Sequence, residues 1–227
     1  MSELRRSAAH VFVDDLELPV VGDDDRHHLA RVLRLRDGEP VTISDGEGRW
    51  RPCRWTGSGV EPIGDSTTTP TSVETTVAFG VTKGDKPELV VQKLTELGVM
   101  RIVPFVASRS VSRWDENKAD RNLERLRRVV REAAMQSRRC TIPVVDPLHA
   151  STAEVVRRFV GRVALAEPDG DEPTASTEVL VIGPEGGFSP DELAIAPHVA
   201  LPGGILRAET AAIAAGVVLA RLHGGRR

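Results

Sequence analysis

The chain has 227 residues, of which 40% are hydrophobic and 28% charged, and its formal net charge at pH 7 is −3. These values indicate an ordinary globular protein with one large or two small domains, and no apolar run has the length of a membrane span or a signal peptide. Two cysteines, Cys53 and Cys140, cannot form a disulfide framework, and the six histidines lack zinc-ligand spacing. We therefore expect a cytoplasmic protein without a structural metal.

The distribution of charge says more than its total. Residues 1–72 contain nine Arg and thirteen Asp or Glu, whereas residues 101–140 contain eleven Lys or Arg and five Asp or Glu. The second segment is a candidate footprint for a polyanion, although a solvated helix face also accounts for such a run. The P-loop and G-x-G-x-x-G motifs are both absent, which removes the usual support for ATP-driven and dinucleotide chemistry.

The N-terminal third favours a small β-rich domain. Its predicted elements are strands at 10–13, 40–45 and 49–55, with a short helix at 23–33. Residues 64–72, GDSTTTPTS, are polar and lack apolar periodicity, so we predict an interdomain linker there. The predicted domains are residues 1–68 and 73–227.

Beyond residue 73, strands and helices alternate, which predicts a mainly parallel sheet covered on both faces. The predicted strands are 75–81, 101–106, 162–166 and 179–182, and the predicted helices are 87–97, 120–137, 152–160 and 207–223.

Residues 179–216 organise the chain around two glycine-rich loops. The apolar run 179–182 enters Gly183-Pro184-Glu185-Gly186-Gly187, and Leu201-Pro202-Gly203-Gly204 precedes an alanine-rich helix. Such loops allow the backbone to approach a ligand closely. The sequence therefore predicts a small-molecule site between them.

Five segments together resemble the successive motifs of a known family. They read KGDKPELVVQKLTELGV, SRSVSRW, REAAMQSRRCTIPVV, IGPEGGFSPDEL and ILRAETAA, and HHLARVLRLRDGEPVTISDGEG near the start resembles the same family's N-terminal domain. The family is RsmE, the bacterial 16S rRNA (uracil(1498)-N(3))-methyltransferases of the SPOUT superfamily. One departure is Gly204, where the family usually has arginine.

The resemblance implies an α/β fold with a SPOUT-type, trefoil-knotted, mainly parallel sheet after a small PUA-like β-barrel that binds RNA. It also implies a homodimer, 16S rRNA in the small ribosomal subunit as substrate, and S-adenosylmethionine as cofactor. The expected cofactor-binding residues lie in and before the two loops: Leu180, Ile182, Gly183, Glu185, Gly186, Gly187, Leu201, Ile205 and Leu206.

Methylation at uridine N3 requires removal of the N3 proton, so a proton acceptor or nearby positive charge is needed. Glu209 and Glu132 are the candidate acceptors, and Arg113, Arg138 and Arg207 are candidates for stabilising the uridine anion. The residues expected to contact RNA are basic: Arg5, Arg6, Arg31, Arg34, Lys83, Arg109, Arg113, Arg138 and Arg139.

Three alternatives remain open at this stage. The same loops would serve a SPOUT methyltransferase with another target, such as a ribose hydroxyl. A non-catalytic RNA-binding protein of the same fold would not bind the cofactor. A hydrolase using Glu185 and Asp191 has little support, since these residues also suit loop orientation and a helix start.

Overall fold

The computed structural model describes residues 3–70, 73–82, 84, 86–111, 114 and 116–224. The chain divides into two compact units, Met1–Thr71 with Arg131–Ile142 and Ser72–Val130 with Pro143–Arg227. In the described part, no helix is both long and apolar enough to cross a membrane.

The first unit contains a five-stranded sheet of order β1-β2-β3-β4, with β5 also paired to β3. The β1–β2 pair is parallel and the others are antiparallel. Its core includes the buried side chains of Val11, Val41, Ile43, Cys53 and Trp55. Its elements are α1 (Glu3–Arg6), β1 (Ala9–Phe12), α2 (Asp23–His27) continued by a π-helical turn (His28–Val32), β2 (Pro40–Ser44), β3 (Arg49–Trp55), β4 (Val60–Pro62) and β5 (Thr67–Thr68).

The linker predicted at 64–72 was wrong for Thr67–Thr68, which form strand β5. Trp50 pairs with Thr67 in antiparallel register, and the Thr69 hydroxyl donates a hydrogen bond to the Gly48 carbonyl oxygen. Strand pairing is made by backbone groups, so this polar segment joins the sheet without the apolar alternation that would have predicted it.

Residues Arg131–Ile142 belong to the first unit although they follow 59 residues of the second. The Ser44 hydroxyl and the Gly48 amide donate hydrogen bonds to the Cys140 carbonyl oxygen at 2.8 and 2.9 Å, and the Ile142 amide donates to the Gly46 carbonyl at 2.9 Å. The domain boundary predicted between residues 68 and 73 did not assign Arg131–Ile142 to the first unit, because contacts so distant in sequence leave no local pattern.

The second unit is built on a six-stranded sheet of order β11-β9-β10-β6-β7-β8, and every neighbouring pair is parallel. Its elements are β6 (Thr76–Gly80), α3 (Lys86–Leu97), β7 (Arg101–Phe105), α4 (Glu116–Gln136), β8 (Val144–Val145), α5 (Thr152–Arg158), β9 (Val163–Asp171), β10 (Val179–Ile182), α6 (Pro190–Leu193), β11 (His198–Val199) and α7 (Ala208–His223). The final turns of α4 belong to the first unit.

The predicted parallel sheet is confirmed, and strand β10 occupies the predicted residues 179–182. All four of its residues are buried, as expected for a strand between two parallel neighbours. Helix α7 packs against α3 through a glycine: a Cβ on Gly216 would lie 2.8 Å from Leu94 Cδ2 and 3.0 Å from Leu97 Cδ1. The small residues of α7 therefore allow two helices to approach closely.

Candidate functional site

The first glycine loop leaves the carboxyl end of β10, where Leu180 and Ile182 are buried. A Cβ on Gly183 would lie 3.3 Å from the Phe188 ring, and one on Gly186 would lie 3.0 Å from the Arg109 carbonyl oxygen. A side chain at either position would force its neighbour to shift by a few tenths of an ångström. The loop therefore packs closely against its neighbours at the end of the sheet.

A third glycine, at the end of β6, lets this loop cross the edge of the sheet. Ile182 and Phe79 are paired in parallel register, and a Cβ on Gly80 would lie 2.9 Å from the Pro184 nitrogen. In open α/β sheets, ligands bind in the crevice beyond the carboxyl ends of the strands. Gly80, Gly183 and Gly186, here called the glycine cradle, therefore let the first loop pack closely at the edge where this class of fold binds small molecules.

The second loop runs from Leu201 to Leu206 and precedes α7. Gly203 has a φ of +113°, a backbone conformation that side chains disfavour, whereas a Cβ on Gly204 would meet no atom within 4 Å. The position where the related family usually has arginine thus has open space beside it. Ile205 is 96% exposed, so an apolar side chain stands in solvent at this loop.

Lys86, the first residue of α3, joins the first loop to the start of α7. Its Nζ lies 3.1 Å from Glu185 Oε1 and 3.5 Å from Glu209 Oε2. The hydrogen bond to Glu185, followed by the charges of both glutamates, raises the pKa of Lys86. Only 15% of the Glu209 side chain is exposed, and its Oε2 is buried. The ammonium group is thus shared between a carboxylate of the first loop and one of the first turn of α7.

Glu192 on α6 organises the backbone on the other side of the first loop. Its Oε1 accepts hydrogen bonds from the Ser108 amide at 2.9 Å and the Thr152 hydroxyl at 2.5 Å, and its Oε2 accepts from the Ser189 amide at 2.8 Å. Burial raises the pKa of Glu192, but these hydrogen bonds outweigh it and lower the pKa overall. The Ser108–Arg109 turn is thereby fixed beside Gly186.

Sequence reasoning missed both Lys86 and Glu192 as site residues. A signal for Glu192 was present, since Ser189-Pro190-Asp191-Glu192 has the spacing of a capping box, and the structure contains both of its hydrogen bonds. No local pattern pointed to Lys86, whose partner Glu185 is 99 residues away.

The structure brings some of the predicted chemical groups together and separates others by unit. Glu209 and Arg207 both lie at the start of α7 in the second unit, with Arg207 as its N-cap residue. Glu132 and Arg138 belong to the first unit. Arg113 lies outside the described residues.

Arg138 is held by the backbone of the first unit. Its Nη2 donates to the Ser7 carbonyl oxygen at 2.7 Å and to that of Ala8 at 3.4 Å, and its own φ is +55°. The Arg139 carbonyl oxygen accepts a hydrogen bond from His10 Nε2 at 3.1 Å. This part of the basic segment therefore stabilises the first unit, in addition to any role toward RNA.

The remaining residues predicted to contact RNA are mostly on the surface. Arg109 is exposed, and its Nη1 lies 3.4 Å from the Gly186 carbonyl oxygen. Lys83 lies outside the described residues, as does Arg113. Of the arginines predicted to contact RNA, the four nearest the N-terminus, Arg5, Arg6, Arg31 and Arg34, are exposed.

Two family models match this chain. A family model described as an RNA methyltransferase domain matches residues 69–220, and one described as an RNA methyltransferase PUA domain matches residues 21–58. The parallel sheet of the second unit therefore lies in an RNA methyltransferase domain.

Individual relatives narrow the class. The ribosomal RNA small subunit methyltransferase E of Mycobacterium bovis is 35% identical over 86% of this chain and 83% of its own length. That of Bacillus subtilis is 29% identical over 74% and 73%. The Neisseria gonorrhoeae enzyme, solved bound to S-adenosyl methionine, superimposes with a TM-score of 0.79 at 26% identity, covering 94% of this chain and 97% of that one. The chain belongs to the ribosomal RNA small subunit methyltransferase E family.

The SPOUT-type fold with a preceding PUA-like domain, expected from the sequence resemblance, is thereby confirmed. The trefoil knot remains a prediction.

Proposed function

We propose that this protein transfers a methyl group from S-adenosylmethionine to N3 of a uridine in bacterial 16S rRNA, at the position numbered 1498 in the family. The observation that carries the proposal is the glycine cradle beyond β6 and β10, in a chain of the small subunit methyltransferase E family. The S-adenosyl methionine bound to the Neisseria gonorrhoeae relative supports the choice of cofactor.

The residues of the cradle fit such a cofactor. A Cβ on Gly183 or Gly186 would crowd Phe188 or Arg109, and as glycines these two positions would offer a ligand backbone groups only. Bound there, the cofactor supplies the electrophilic methyl group. We assign its binding to Leu180, Ile182, Gly183, Glu185, Gly186, Gly187, Leu201, Ile205 and Leu206.

The chain's own side chains would handle the proton. Neutral uridine carries a hydrogen on N3. A base would take that proton, the electron pair of the N–H bond would form the new N–CH3 bond, and the cofactor's sulfur would keep the electrons of the broken S–CH3 bond and leave as the thioether. Glu209 is the favoured acceptor, since its carboxylate is mostly buried beside the first loop, held by Lys86. Arg207, the neighbouring N-cap residue of α7, would stabilise the uridine anion. Glu132, Arg113 and Arg138 remain candidates for these roles.

The substrate would be reached as an unpaired or flipped-out base. Exposed arginines of the first unit and Arg109 would contact phosphates, together with Lys83, Arg113, Arg138 and Arg139.

The protein would act in the cytoplasm as a homodimer. The exposed side chain of Ile205 is available for a further apolar contact at the second loop. Light scattering of the purified protein tests the dimer.

The decisive experiment measures methyl transfer from labelled S-adenosylmethionine to purified small ribosomal subunits and to naked 16S rRNA. We expect 3-methyluridine in the digested RNA, with a rate that falls steeply as salt rises. A ribose-methylated product would assign another target. Absence of incorporation into both substrates, together with absence of cofactor binding, would favour an RNA-binding protein without activity.

A further inference from the structure

Lys86 stands where three elements of the proposed cofactor site meet. It begins α3, whereas Glu185 belongs to the loop after β10 and Glu209 to the first turn of α7. The two glutamates therefore come from the first glycine loop and from the helix that follows the second loop, and one ammonium group lies within 4 Å of both.

We propose that Lys86 is a positioning residue for methyl transfer, a role that rests on the function proposed above. Its ammonium group fixes the first glycine loop through Glu185 and the start of α7 through Glu209. By holding both, it sets the width of the cofactor site and keeps the Glu209 carboxylate aimed at the site.

The burial of the three side chains favours a positioning role for Lys86 over a contribution to the stability of the fold. The Lys86 side chain is 35% exposed and that of Glu185 42% exposed, so solvent screens their attraction and their pairing adds little to folding. Glu209 is the exception, at 15%. Among the described residues, Lys86 is the cation found within ion-pair distance of that carboxylate. Removing the ammonium group would therefore release Glu209 while the fold is retained.

Helix α3 supplies a matched control. Lys93 lies on the same helix and forms an exposed ion pair with Glu96, with Nζ 2.9 Å from Oε1. Lys86→Met and Lys93→Met each remove one ammonium group and one exposed pairing from α3. Only the first removes a contact to the glycine loop and to α7.

The experiment measures the Kd for S-adenosylmethionine by calorimetry and the rate of methyl transfer at saturating cofactor, using the full-length protein. For Lys86→Met we expect the Kd to rise and the saturated rate to fall, each about tenfold, with the unfolding midpoint within about 2 °C of the wild type. Lys86→Arg should restore both values to within about threefold, because the positive charge is kept. Lys93→Met should match the wild type.

A double variant identifies the route of the effect. If Lys86 acts through Glu209, the fold-loss of rate in the double variant with both Lys86→Met and Glu209→Gln is smaller than the product of the fold-losses in the two single variants. Equal Kd and rate in Lys86→Met and Lys93→Met would overturn the positioning role while leaving the methyltransferase proposal intact. A wild-type protein that neither binds the cofactor nor methylates rRNA would overturn the proposed function and this role with it. Should Lys86→Met fail to fold, Lys86→Gln is compared with Lys86→Arg by the same criteria.

Discussion

The carboxylate of Asp25 and the guanidinium of Arg131 form a two-pronged ion pair within the first unit. Arg131 Nη2 lies 2.6 Å from Asp25 Oδ2, and Nη1 lies 3.2 Å from Oδ1. The same guanidinium stands over the Phe12 ring, 5.7 Å from its centre. Two helices, α2 and the end of α4, are thus joined across 106 residues of sequence.

Arg131→Met should lower the free energy of unfolding of the first unit. The substitution keeps an apolar stem but leaves Asp25, which is 9% exposed, without its cationic partner. We expect a loss of about 1–2 kcal/mol, less than for a fully buried pair because 39% of the Arg131 side chain is exposed. Urea unfolding measures it. Arg127→Met, an exposed substitution on the same helix, is the control, and equal losses in the two variants would contradict the prediction.

His10 should make the first unit sensitive to mild acid. Burial lowers the pKa of His10 to about 4 from the ordinary 6.5, even though its hydrogen bond to the Arg139 carbonyl raises it. Between these values the unfolded chain binds a proton that the folded chain does not. Stability is therefore lost as the pH falls below 6.5, by about 3 kcal/mol once it reaches 4.

The measurement compares the free energy of unfolding at pH 7 and pH 5 in the wild type and in His10→Gln. We expect the wild type to lose about 2 kcal/mol more than the variant over this interval. His28→Gln, at an exposed histidine, should behave like the wild type. The interpretation fails if His10→Gln retains the full pH dependence.

The fold was largely predictable because its parallel strands are apolar and its helices periodic. Strand β10 is predicted without error, and α3 begins one residue before the predicted start. Strands β8 and β11 have two residues each, too few to show any periodicity. The placement of Arg131–Ile142 in the first unit depends on contacts such as that of Ser44 with Cys140, which are 96 residues apart. No local sequence pattern encodes such contacts.

The candidate site, like the fold, could be predicted from the sequence only in part. Its glycine loops could be read from the sequence, because glycine where side chains do not fit is a local signal. The Glu192 capping box was also readable. The Lys86 cluster was not, since it depends on which loop ends the topology places side by side.

Gly186→Val should weaken binding of S-adenosylmethionine at least about tenfold. A Cβ at this position would lie 3.0 Å from the Arg109 carbonyl oxygen and 3.1 Å from its Cβ, so the loop must shift to admit the larger side chain. Gly204→Ala in the second loop is the matched control, since its new Cβ meets open space and no positive φ is involved. Calorimetry should give Gly204→Ala a Kd within about threefold of the wild type. Equal affinities in the two variants would contradict a cradle at Gly186.

The Glu192 carboxylate fixes the backbone on both sides of the first loop through the amides of Ser108 and Ser189. Glu192→Ala removes the acceptor for the Ser108 and Ser189 amides and for the Thr152 hydroxyl. Buried donors left unpaired are costly, so we expect a loss of about 2–4 kcal/mol in unfolding free energy. Asp191→Asn, at an exposed carboxylate on the same helix, is the control and should change stability by about 0.5 kcal/mol or less.

The Glu192 carboxylate should also make the stability of the protein depend on pH, in a range below that of His10. Because its hydrogen bonds lower the pKa of Glu192 in the folded state, its contribution is present above the ordinary value of 4.5 and is lost as the pH falls through the folded pKa. Glu192→Gln keeps the shape but cannot ionise, so its stability should decline less between pH 5 and pH 3 than that of the wild type.

Binding of S-adenosylmethionine should weaken in Glu192→Ala as well, since the Ser108–Arg109 turn no longer holds Gly186 in place. Unchanged cofactor affinity in a folded Glu192→Ala protein would separate Glu192 from the site and leave it a role in folding alone.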